Sequence, residues 1–245
     1  MARGPAVRIR RLVEQRLRAI SGWRRLTGPV PQAATGRWLR ALECGVLFFA
    51  VPVVLPLFRE QLAFRTIPIM AVIAVGCWRL LRRAPGFDNG TLWATERLPV
   101  DLARILRLFV PGAVLVTIAV ATWLAPLFLA FPRSRPAIWF VVMLLYPILV
   151  GYPQELVFRA FFVHRYGALF PGAAVLIAAN ALSFGLYHMF YFNWVAPTVA
   201  ALGGVLLAVR YLSTGSVLAA GVEHGLWGDL LFTTGLGWYL YSGSI

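Results

Sequence analysis

Apolar residues fall into seven blocks separated by short polar or basic joints, and each block is close to the length that a helix needs to cross lipid. A hydrocarbon core takes about 20 apolar helical residues. By that ruler the pattern predicts membrane helices near 38–58, 63–81, 108–131, 137–163, 172–192, 194–212 and 215–236, with Leu236–Tyr241 as a short further element. The joint RRAPGFDNGTLWATERLPVDLARILR, 82–107, is polar and becomes amphipathic toward its end. The expected fold is therefore all-α, a polytopic transmembrane helix bundle of about seven to eight membrane helices. Three regions follow: an Arg-rich arm at 1–37, N-terminal membrane helices at 38–136, and a membrane core at 137–245 that carries the chemistry. In the arm, Ile9, Leu12, Val13, Leu17 and Ile20 share one helical face while Arg10, Arg11 and Arg18 lie mostly on others. That arrangement suits a helix resting on an anionic membrane surface, and a solvated arm fits the same composition.

Composition sharpens this picture. Hydrophobic residues make up 60% of the chain, against roughly 45–50% in soluble domains, and the mean hydropathy is +0.76. There are 23 basic and 9 acidic residues, and every basic residue is Arg. Binding to nucleic acid is not expected, because the Arg residues sit in short joints between apolar blocks, where topology accounts for them. With the N-terminus in the cytosol, ten Arg within the first forty residues join Arg79, Arg82, Arg83, Arg97, Arg104, Arg107, Arg165 and Arg210 on the cytosolic side. Arg59, Arg65, Arg133 and Arg135 fall on the other, leaving Arg159 alone inside the membrane. The expected location is a bacterial inner membrane. No secretory signal is read at the N-terminus. Cys44 and Cys77 lie inside apolar blocks and are expected to be buried, reduced thiols.

A charge at the centre of a membrane helix costs about 2.5–3.5 kcal/mol on insertion scales, so ionisable residues there are functional candidates. They are Glu155, Arg159, His188, Glu223 and His224, with Asp229 further along. In YPQELVFRAFFVHRY, Glu155 precedes Arg159 by four residues, the favourable order for a helical ion pair. Such a pair can serve as a helix staple as well as a catalytic element. In NALSFGLYHMF, residues Asn180, Ser183, Phe184, Tyr187 and His188 form a mostly polar stripe that must face a cavity or another helix. In the last block His224 sits among Gly221, Gly225 and Gly228, which either let a neighbouring helix approach or leave room for a peptide. His164, beside Arg165, reads as an interfacial anchor. An acid on one span and a His on each of two later spans form a minimal set for activating water and holding an oxyanion.

QELVFR, FGLYH and EHGLWG, in that order, resemble the three motifs of the CPBP intramembrane proteases, the CAAX-protease and bacteriocin-processing family. Those motifs run Glu-Glu-x3-Arg, Phe-x3-His, and His-x3-Asn or a related residue, and YPQEL resembles a bacterial subgroup. The resemblance covers roughly 137–241. It implies a metal-independent, glutamic-type endopeptidase with no cofactor, in which Glu155 and His188 activate water, Arg159 orients Glu155 and His224 holds the oxyanion. The implied partners are the lipid bilayer and a membrane-bound peptide or protein substrate. This chain departs from the pattern twice, with Gln154 for the first Glu and Gly228 for the Asn. Asn180, Tyr187, Asn193 or a backbone amide are the candidate replacement donors. The same departures fit an alternative, a degenerate non-catalytic membrane scaffold or immunity protein. A zinc site of Glu155, His188 and His224 is disfavoured, because Arg159 beside the carboxylate opposes a cation and no H-E-x-x-H helix is present.

A rise of ~1.5 Å per residue puts Glu155 and His224 at similar depths, about 15 and 13 Å from their helix ends. His188 comes out deeper, at about 24 Å, which predicts a tilted helix, a dipping loop or a break near Gly185.

Overall fold

A computed structural model describes residue 20 and residues 22–240. The amphipathic helix expected over Ile9–Ile20 thus lies outside the described residues except for Ile20. Every regular element among the described residues is helical. The principal helices are α1 (Ala34–Gly45), α2 (Thr66–Arg83), α3 (Leu98–Trp123), α4 (Pro136–Leu169), α5 (Ala173–Tyr187), α6 (Val195–Thr214) and α7 (Val217–Thr234).

Five helical runs are long and apolar enough to cross a membrane, the first being Ala34–Arg83. This is a multi-pass membrane protein. At 50 residues that first run would be about 75 Å long if straight, far beyond a hydrocarbon core of ~30 Å, and its contacts show that it folds back. Glu43 meets Arg165 and Tyr166 at one end of α4. Arg59 lies over the Phe192 ring at the far end of α5. Phe87, just past α2, is back against His164. The reversal takes place through short helical turns between Leu55 and Arg65. Charged side chains lower the hydropathy of α7, yet it packs against α3, α4 and α6 inside the bundle.

Helix α4 organises the core. Its first half exposes Ile138, Phe140, Leu144, Leu145 and Ile148, as a lipid-facing helix should, whereas Leu156–Val163 is buried on every side. Prolines shape the helices too. Proline has no N–H for the carbonyl four residues back, and a bond that slips by one residue gives a wide π turn. The π stretches Val46–Ala50, Pro147–Gly151 and Leu156–Phe161 all lie close to Pro52, Pro147 or Pro153. Helices α5 and α6 approach backbone to backbone, with Gly185 against Ala201 and Gly204 against Ala181.

Several expectations need correction. The polar joint is shorter than 82–107, since α2 runs to Arg83 and α3 begins at Leu98; the amphipathic end is the start of α3, where Asp101 and Ile105 are buried. What remains docks on α4, with Tyr152 Oη donating to the Leu92 carbonyl at 3.0 Å and Trp93 stacked on the Tyr152 ring. His164 is buried rather than interfacial, because Gly28 N–H bonds its carbonyl at 2.7 Å and Phe87 covers its ring. Arg210 is not a free joint residue. It is buried in α6 and pairs with Glu223 of α7, Nε to Oε2 at 2.5 Å and Nη2 to Oε1 at 3.1 Å. Removing one partner strands a buried charge, whereas replacing both by apolar residues removes the desolvation penalty as well. Arg210→Met with Glu223→Leu is thus expected to unfold at a higher temperature than Arg210→Met alone; equal melting temperatures would contradict the pairing. Cys44 and Cys77 are free and buried.

Candidate active site

The site is built on α4, α5 and α7. Tyr152–Glu155 forms one α turn between two π stretches of α4, and Glu155 is completely buried. Its two oxygens have separate partners. Oε2 pairs with Arg159 Nε at 3.0 Å, and Oε1 accepts from His224 Nδ1 at 2.9 Å. Arg159 is fully enclosed as well. Its Nη1 donates to Asn180 Oδ1, and its guanidinium lies over the Phe184 ring at 5.1 Å. Asn180 in turn donates to the Phe158 carbonyl at 2.5 Å, tying α5 to α4.

Hydrogen-bond partners fix the tautomers of both imidazoles. A carboxylate only accepts, so His224 donates from Nδ1, and in the neutral ring Nε2 is the acceptor. His188 has Nδ1 2.8 Å from the Phe184 carbonyl, which also only accepts, so Nδ1 donates here too and Nε2 is the acceptor of the neutral ring. Phe184 stands between the rings, its centroid 4.7 Å from His188 and 5.7 Å from His224. The structure thus pairs Glu155 directly with His224, a contact the sequence did not specify. The depth mismatch is met without a break at Gly185: α5 runs unbroken to Tyr187, and Phe184 fills the interval.

Residues 136–228 match the family model of the type II CAAX prenyl endopeptidase Rce1-like proteins. The Rce1-like stretch contains Glu155, Arg159, His188 and His224 together with α5 and α6, so the resemblance read from the three motifs holds for this part of the chain. No curated protein and no solved structure matches the chain significantly.

The other candidates are placed less centrally. Asn180 positions Arg159. Tyr187 Oη donates to the Leu47 carbonyl at 2.6 Å. Asn193 bridges the Tyr191 and Tyr239 carbonyls and caps α6 by accepting from Ala196 N–H. Neither of the last two side chains is a spare donor. Buried Gln154 Oε1 and Asp229 Oδ1 have no hydrogen-bond partner among the described residues. Among those residues, too, no group of three or more His, Cys, Asp or Glu side chains converges as metal ligands.

The glycines beside His224 turn out to be packing residues. Gly221 meets Tyr152, Gly225 meets Pro147, and Gly228 meets Tyr146, so α7 lies hard against α4. Tyr146 is the residue that the sequence did not single out. Its hydroxyl is 3.1 Å from His224 Nε2. In a straight α-helix a residue nine before Glu155 lies half a turn away from it, but the intervening π stretch turns less per residue and brings both toward α7.

Proposed function

We propose that this protein is an intramembrane endopeptidase that hydrolyses a peptide bond of a membrane-associated protein or of a C-terminal signal. The observation that carries this reading is the buried Glu155–His224 pair on the Rce1-like stretch. Carboxylate-backed imidazoles are a recurring device of acyl-transfer catalysis, because the carboxylate fixes the tautomer and steadies developing positive charge. In this reading His188 Nε2 takes a proton from water as the water oxygen attacks the scissile carbonyl, and returns it to the leaving amine. The Glu155–His224 arm faces the carbonyl oxygen, and Arg159 holds Glu155 in place. Glutamate thus acts through an imidazole instead of accepting the proton itself. The Arg distribution supports a cytosolic N-terminus in a bacterial cytoplasmic membrane. The substrate is membrane-tethered because the bases lie inside the bundle.

The test is cleavage of a pool of membrane-anchored peptides by the full-length protein in liposomes, with and without chelator. Chelator-resistant turnover that falls by about 10²–10⁴ in His188→Ala is expected. Turnover insensitive to His188→Ala would overturn the assignment. Activity appearing only in Gln154→Glu would mean that the wild-type motif is disarmed, as the scaffold alternative requires.

A further inference from the structure

We propose that the Tyr146 hydroxyl is the catalytic donor that holds the oxyanion, and that Gly228 is the residue that admits it. This rests on the protease reading above. The sequence pattern leaves motif three without a donor at position 228, and the side chains expected to replace it are committed elsewhere. Tyr146 enters that gap from another helix. A Cβ built on Gly228 would lie 1.9 Å from Tyr146 Cε1 and 2.6 Å from its hydroxyl oxygen. No other residue at 228 can coexist with the ring in this position, so the missing side chain and the inserted one are two halves of a single exchange. The ring is held edge-on by Phe232 at 5.4 Å and by His224 at 6.0 Å between centroids. A pre-positioned donor of this kind needs little reorganisation when charge develops.

In this scheme the Tyr146 O–H, 3.1 Å from His224 Nε2, donates to that nitrogen of the neutral ring at rest. As water attacks, its oxygen bonds to the carbonyl carbon, its proton goes to His188 Nε2, and the carbonyl π pair moves onto oxygen. The Tyr146 hydrogen pivots from Nε2 to that oxyanion without leaving its own oxygen. On collapse the oxyanion pair re-forms C=O, the C–N bond breaks, and the amine takes the proton from His188. His224 is in this scheme a positioning residue for Tyr146, itself fixed by Glu155.

The experiment compares kcat and KM for wild type, Tyr146→Phe, Tyr146→Ala, Gly228→Ala and the double variant Tyr146→Ala/Gly228→Asn on the peptide pool in liposomes, with thermal unfolding of each. Tyr146→Phe keeps the ring and is expected to lose about 10²–10³ in kcat with little change in KM, the usual effect of deleting one oxyanion donor. Gly228→Ala adds no chemistry but displaces the ring, so it is expected to lose a similar factor. The Ala/Asn double variant, which moves the donor back to 228, is expected to recover at least tenfold over Tyr146→Ala. Tyr146→Phe turning over at the wild-type rate would overturn this assignment while leaving the protease reading intact. A wild type that cleaves nothing would overturn both.

Discussion

Glu155→Gln is expected to lower kcat by about 10³–10⁴ with the fold retained, because exchanging a triad carboxylate for the isosteric amide costs about that much in a serine protease. The reason here lies in the donor count around one side chain. Glu155 has His224 Nδ1–H as a hydrogen-bond donor on Oε1 and the Arg159 guanidinium as an ion-pair partner 3.0 Å from Oε2. An amide has one oxygen and one NH₂. Whichever way it is turned, it sets a donor against a donor. If the NH₂ faces His224, the ring must move its proton to Nε2, which turns away the Tyr146 hydroxyl. If it faces Arg159, an NH₂ meets the guanidinium, and in either orientation the buried cation loses its counter-charge. Steady-state turnover of the folded variant checks this, with a lowered unfolding temperature expected from the stranded Arg159, and a variant within tenfold of wild type would remove Glu155 from the chemistry.

The second large effect concerns stability. Arg159→Leu is expected to destabilise the bundle by about 3–5 kcal/mol, the range for breaking a buried ion pair by deleting one partner. Arg159 has no exposed surface, neutralises Glu155, anchors Asn180 and lies over Phe184. Its loss would leave the Glu155 carboxylate in the bundle with only the His224 imidazole as a partner. Arg159→Lys should not restore wild-type stability, since one ammonium cannot reproduce a planar fork that meets Glu155 and Asn180 at once. Equilibrium unfolding in detergent measures both variants. A loss below 1 kcal/mol for Arg159→Leu would show that the pair contributes little to the bundle.

Residue type and spacing made part of this site legible. Glu155 and Arg159 were readable because a four-residue spacing on one helix is local geometry. His188 and His224 were readable because an imidazole is expensive in lipid and stands out in an apolar run. Arg210 was misread because its place near a helix end looks like a joint, and only the facing Glu223 shows that it is buried. Tyr146 was missed because tyrosine is unremarkable in an apolar helix and its partner lies on a distant span.

The sequence by itself determined the membrane environment, the all-helical class, the approximate helix positions and the short inventory of intramembrane polar residues. All of these follow from the cost of placing unpaired polar groups in hydrocarbon, which acts residue by residue along the chain. Only the tertiary structure decided that Glu155 pairs with His224 and not with His188, that the glycines of α7 pack against α4, and that Tyr146 enters where Gly228 has no side chain. Those choices depend on how α4, α5 and α7 are rotated and pressed together. Prolines widen α4 near the site, and close contacts between α4 and α7 set the final register, so ideal helical periodicity could not place these side chains.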